Sequence, residues 1–267
     1  MNTVDIRTCT AGAGLQSVRA GLRLLGRAPL MLPVLVGLGP MLAWSVAMVP
    51  VAGPALGLVL WPMLLLGMLR ICRTVEAAQV PGITDYLAAL RDPPARQGLL
   101  RIGVAYALVL GVLATLWSLA PVPPPPAPPT DLPRMDLSPG QVVLALCTLG
   151  VWIPVEMALW LAPALVAWHA MAPGKALFFS LVACWRNRGA LALRLLCALG
   201  LFTLILLALL SLIDVLGISE NAARYLLLPV PLLMFAILQG SKLALYHQVV
   251  QERPAAGNAA APPADAA

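Results

Sequence analysis

Of 267 residues, 61% are hydrophobic and only 10% are charged, against about 25% charged in soluble domains. Bilayer is therefore the solvent of this chain, and no polar stretch is long enough for a separate soluble domain. The net charge of +6 does not point to nucleic acid, because the arginines sit at the ends of apolar segments and do not cluster with aromatics; contact with anionic headgroups explains them better.

Residues 1–29 read as a cytoplasmic amphipathic segment. Leu15, Val18, Leu22 and Leu25 recur at steps of three and four, while Arg19, Arg23 and Arg27 follow one another at steps of four. Such a helix lies in the interface, with the Leu/Val stripe among acyl chains and the Arg stems extended to phosphates. Ser45-Val46-Ala47 resembles a cleavage site, but the basic lead-in is too long for a signal peptide, so the first apolar segment is expected to stay attached. Residues 30–250 form the membrane domain. Its expected spans are 30–49, 51–71, 99–120, 141–171, 190–213 and 224–245, each near or above the roughly 20 residues that cross a bilayer. Between the second and third spans, Pro81-Gly82 opens a short helix over 83–91 that is too short to cross.

The outer loop 121–139 holds nine prolines, which exclude helix and favour an extended polyproline spacer. The fourth span then runs 31 residues, about 46 Å of helix against roughly 30 Å of hydrocarbon. Pro154 and Pro163 are expected to break it and turn its last turns along the interface. Pro173-Gly174 opens a third interfacial helix over 174–187. The tail 251–267, rich in Ala and Pro, is expected to be disordered. Trp-Pro-Gly landmarks recur in the two basic connections, with 17 residues from Pro81 to Gly98 and 16 from Pro173 to Gly189. This weak repeat implies two hairpins of like orientation.

Fifteen of the seventeen basic residues fall in alternate loops, and only Arg134 and Arg224 in the others. Short basic loops stay cytoplasmic, so both termini are expected inside. The five cysteines form no C-x-x-C pair and have no His at ligand spacing, which argues against metal and disulfides. No P-loop, nucleophile elbow, H-E-x-x-H or dinucleotide fingerprint occurs. No catalytic, cofactor or metal residue is therefore assigned, and an enzyme is the least favoured class.

Glu156 is the one acid expected deep inside a span. A carboxylate there is costly unless protonated or paired, and such residues often mark an ion or substrate path. It is expected to face the bundle interior and meet carbonyls freed at the proline kinks, or a bound ion. Ala176, Ser180 and Cys184, at i, i+4 and i+8, make a small-residue stripe for close helix packing. Arg186 and Arg188 beside Asn187 are candidate lipid-phosphate contacts, as are Arg19, Arg23 and Arg27; Asn187 itself is read as a helix terminator.

The run Ala162 to His169, Pro173-Gly174-Lys175-Ala176, and the Ser180-x-x-x-Cys184-x-x-Asn187 stripe resemble a family of proteobacterial six-span integral membrane proteins. That family is distantly similar to the membrane domain of some glycerophosphodiester phosphodiesterases. The likeness extends more weakly to 14–29, 67–73 and 87–91. It implies an all-α polytopic fold in the bacterial inner membrane, and no mechanism.

The expected role is non-enzymatic binding of membrane lipid, of another membrane protein or of a second copy, without nucleic acid or cofactor. The alternative is a small-solute or proton-coupled transporter using Glu156. The spans offer few other polar residues, and no substrate class follows from them.

Overall fold

The computed structural model describes residues 3–119 and 139–253, and it is almost entirely helical. In chain order it comprises β1 (Thr3–Ile6), α1 (Gly12–Arg27), α2 (Met31–Ala47), α3 (Gly53–Glu76), α4 (Thr84–Arg91), α5 (Pro93–Ser118), α6 (Pro139–His169), α7 (Pro173–Arg186), α8 (Arg188–Val215), α9 (Glu220–Leu227), α10 (Pro229–Val249) and β2 (Val250–Arg253). Helices α5, α7 and α10 each open on proline, whose fixed φ and missing N–H suit a first turn. The proline-rich stretch 121–138 and the tail 254–267 lie outside the described residues.

Five helical segments are long and apolar enough to cross a membrane: α3, α5, α6, α8 and α9 with α10. Helix α2 has 17 residues, about 26 Å, and joins α1 through a 108° bend at Ala28–Leu30. The elements expected at 15–27, 83–91 and 174–187 are present as α1, α4 and α7.

Buried leucines concentrate in one half of the molecule, the end carrying α1, α4, α7 and most of the basic residues. Leu66 and Leu69 of α3, Leu161 and Leu165 of α6 and Leu243 of α10 are all sealed there. In the other half, α6 and α8 turn large side chains such as Leu146, Trp152, Leu204 and Leu207 outward, as segments bathed in lipid can.

Three expectations change. Helix α6 does not break: it is one helix of 31 residues, and its last turns, Leu159–Val166, lie buried in the core instead of along an interface. The tail begins later than its composition implies, because Gln251–Arg253 belong to β2 and pair antiparallel with β1, Thr3 opposite Arg253 and Ile6 opposite Val250. Helix α1 does not turn its whole Leu/Val stripe towards lipid, because Val18 is buried inside the protein. It packs Ala13, Gly14, Ser17, Val18 and Gly21 against α8 and α10, leaving Leu15 and Leu22 exposed. The physical reason is backbone proximity: a Cβ on Gly14 would overlap the Ala190 carbonyl, and one on Gly21 the Ile237 carbonyl.

Candidate functional site

Glu156 sits half-buried on the face of α6 that meets α5. Its Oε1 accepts a 2.8 Å hydrogen bond from the Tyr106 hydroxyl of α5, where carbonyls freed at the proline kinks or a bound ion were expected. Tyr106 also borders two apolar recesses. One, of about 250 Å³, lies against Trp44, Pro54 and Trp61; the other, of about 130 Å³, lies between Ile102, Val155 and Leu159.

Two cations counted among the loop charges prove to be buried inside helices. Arg194 lies in α8, where its Nε donates to Ser241 Oγ (2.7 Å) and its Nη2 to the Leu238 carbonyl (2.6 Å). Lys242 lies in α10 and is only 5% exposed. Both cations face the Trp160 ring, at 5.7 and 5.9 Å from its centroid, an arrangement that offsets part of the cost of burying charge. The sequence did carry a signal for Arg194, which stands between Leu193 and Leu195, but little for Lys242, which follows Gln239-Gly240-Ser241.

The small-residue stripe of α7 lies against α6, where Ala176, Ser180 and Cys184 are buried. Ser180 enters the α6 hydrogen-bond ladder: its hydroxyl accepts from the Leu161 N–H (2.9 Å) and donates to the Met157 carbonyl (2.8 Å). In an unbroken ladder those two groups would bond each other. Cys184 donates to the same carbonyl at 3.4 Å. Burial pushes its thiol up to about 12, so it is no thiolate nucleophile. The stripe is thus a packing seam.

Asn187 ends α7, as expected, but it also holds the N-terminal segment. Its Oδ1 accepts from the Cys9 N–H (2.7 Å), and its Nδ2 donates to the Arg7 and Ala183 carbonyls at 3.0 and 2.9 Å. These bonds occupy its polar atoms, so it is not a phosphate ligand. Its neighbours Arg186 and Arg188 are exposed, with Arg188 over the Trp185 ring at 5.7 Å. Arg19, Arg23 and Arg27 are exposed along α1, and Arg27 donates to the Glu76 carbonyl at 3.0 Å. Among the described residues these five arginines form no ion pair, and Glu156 meets none of them.

The basic end also gathers groups that sequence spacing kept apart. Arg73 of α3 lies over Trp168 of α6 at 4.9 Å. Trp168 meets Tyr246 of α10 edge-on at 5.0 Å, and the Tyr246 hydroxyl lies 2.6 Å from His169 Nε2. His247 Nδ1 is 3.8 Å from Glu76.

A helical bundle with five to six membrane-crossing segments and a polar end of this kind defines an integral membrane protein. The chain is 31% identical over 246 residues to a probable inner membrane protein of Burkholderia thailandensis, a match covering 89% of this chain and 91% of that protein. It belongs to that inner membrane protein family. No family model and no solved structure matches it.

Proposed function

We propose that this chain is a non-enzymatic inner-membrane protein of six spans with cytoplasmic termini, binding anionic phospholipid through α1 and α7. One observation carries the reading: on both helices, exposed arginines without acidic partners stand beside exposed large apolar side chains. On α1 these are Arg19 and Arg23 with Leu15 and Leu22; on α7 they are Arg186 with Phe178 and Trp185. Such a surface buries apolar tips at the acyl boundary while its cations reach phosphates. The alternation of basic loops supports the orientation. The distant likeness to the phosphodiesterase-linked membrane domain rests on the quoted motifs alone and supplies no catalytic step.

Native mass spectrometry of the protein in mild detergent tests lipid binding. Phosphatidylglycerol should co-purify with the native chain and be depleted when Arg19, Arg23, Arg186 and Arg188 are all changed to Gln; equal retention by both rejects the reading. Orientation is read separately, by labelling single cysteines in intact cells. Positions 127 and 218 should react with an impermeant reagent, and Cys9 and position 258 should not.

A second reading, a small-solute or proton-coupled transporter, is favoured by the Glu156–Tyr106 pair between two recesses. An ionisable pair inside a span is the usual mark of such a path. Its test is the Glu156→Gln variant described in the Discussion.

A further inference from the structure

Helix α3 ends with two arginines, Arg70 and Arg73, three residues apart and hence on one face. They line a cavity of about 310 Å³ with Thr74, Gln79, Asp85 and Trp168. A second cavity of about 210 Å³ shares Arg73 and Trp168 and continues to His169, Tyr246 and His247.

Asp85 and Asp92 act on Arg70 electrostatically from beyond ion-pair distance, and two of the nearby acids have partners elsewhere. Asp85 accepts from the Gly82 N–H (3.0 Å) and from the Thr74 hydroxyl (3.3 Å), holding the start of α4. Glu76 faces His247. Neither guanidinium has a carboxylate within 4 Å among the described residues, and the Nε of Arg70 is buried with no hydrogen-bond partner. A buried donor left unmade costs free energy that a ligand can recover. The floor is rigid, because Trp168 is held edge-on by Tyr246, and Tyr246 by His169.

We infer that these joined cavities bind a phosphoryl group, presented either by a lipid headgroup or by a water-soluble phosphate ester. One guanidinium satisfies a carboxylate in a bidentate pair, whereas two on one face, with their forks free, suit the three oxygens of a phosphate dianion. Arg73, stacked on Trp168, keeps its edge donors for the ligand. The site lies on α3, α6 and α10 and is separate from the arginines of α1 and α7. It deepens the lipid-binding reading where the source is a headgroup, and stands without it where the source is soluble.

The test uses the full chain, delipidated in detergent, with melting temperature and native mass spectrometry as readouts. Inorganic phosphate and glycerol 3-phosphate probe the soluble source; phosphatidic acid in mixed micelles, against phosphatidylcholine, probes the headgroup. At least one probe should raise the melting temperature and be retained. Its affinity should fall at least about tenfold in Arg70→Gln/Arg73→Gln, the loss of a charge-assisted contact. Arg186→Gln/Arg188→Gln should leave that affinity unchanged, whatever it does to phosphatidylglycerol retention. Should the double variant not fold, Arg73→Gln alone carries the test, since Arg73 is exposed. Binding of soluble phosphate, or of phosphatidic acid only, names the source. No binding by any probe, or equal binding by the Arg70/Arg73 variants, overturns the site.

Discussion

The hairpins α3–α4–α5 and α6–α7–α8 are built from the same landmarks and held together differently. Each first span ends on a left-handed alanine, Ala78 at φ 56° and Ala170 at φ 49°, and a Pro-Gly pair follows it, Pro81-Gly82 and Pro173-Gly174. Each intervening helix then sends one hydroxyl back to a backbone carbonyl. Tyr86 of α4 passes over Gly67, where a Cβ would overlap its ring, and donates to the Leu35 carbonyl of α2 at 2.8 Å. Ser180 of α7 reaches only as far as the helix beside it and opens the ladder at Met157. In the first hairpin the two spans also cross directly, with Gly103 of α5 against the Val59 carbonyl; in the second, α8 leans on α1 and α10 instead. A shared sequence frame thus places a returning helix, while residue size at the crossing decides whether the flanking spans touch.

The sharpest break of this contrast is a pair of glycine substitutions. Gly103→Leu should destabilise at the upper end of the about 1–3 kcal/mol of overpacking, because the obstacle is backbone that cannot rotate away. Gly200→Leu in α8, which has open space around it, should leave the melting temperature in detergent unchanged. Equal effects would mean that the spans of the first hairpin do not cross as described.

Ser180 comes next. Valine retains a wedge, leaving the Leu161 N–H unpaired and the Met157 carbonyl with only the weak Cys184 thiol donor, at about 1–3 kcal/mol. Alanine lets those two groups bond each other, so Ser180→Ala should cost clearly less, with the Leu161 amide still protected from hydrogen exchange. Tyr86→Phe in the other hairpin should cost about 1 kcal/mol, a single hydrogen bond, because the ring still fills the Gly67 notch.

Glu156 lies on the span that Ser180 opens. Glu156→Leu should cost roughly 1–3 kcal/mol by stranding the Tyr106 hydroxyl, whereas Glu156→Gln keeps an acceptor and should leave the melting temperature nearly unchanged. If Gln removes a knockout-complementation phenotype while the protein stays folded, the carboxylate carries charge or protons and the transporter reading prevails. An unchanged phenotype rejects that reading. A small effect of the opposite sign should come from Ala78→Gly and Ala170→Gly. Each should stabilise by about 0.5–1 kcal/mol, since glycine adopts positive φ without steric cost. A loss of stability would place those residues in ordinary helical geometry.

Composition and periodicity alone determined that this is an all-α membrane protein, where its apolar segments fall, and that short helices lie at 15–27, 83–91 and 174–187. Those features depend on local hydrophobicity, on proline and on helical spacing, all of which are written along the chain. The small-residue stripe at Ala176, Ser180 and Cys184 was legible as a packing seam for the same reason. The partner of Glu156 was not, because Tyr106 is 50 residues away and nothing in spacing aligns two spans in rotation. Lys242 and Arg194 were misplaced because positive-inside reasoning assigns a cation to a span end without saying which way it points. Asn187 was read from its neighbours, while its hydrogen bonds go to Arg7 and Cys9 at the far end of the chain. The Arg70–Arg73–Trp168–Tyr246 cluster exists only because α3, α6 and α10 converge. Sequence sets which faces are apolar, and the tertiary structure decides which polar side chains those faces bring together, since side-chain meetings across helices depend on crossing geometry that no single segment encodes.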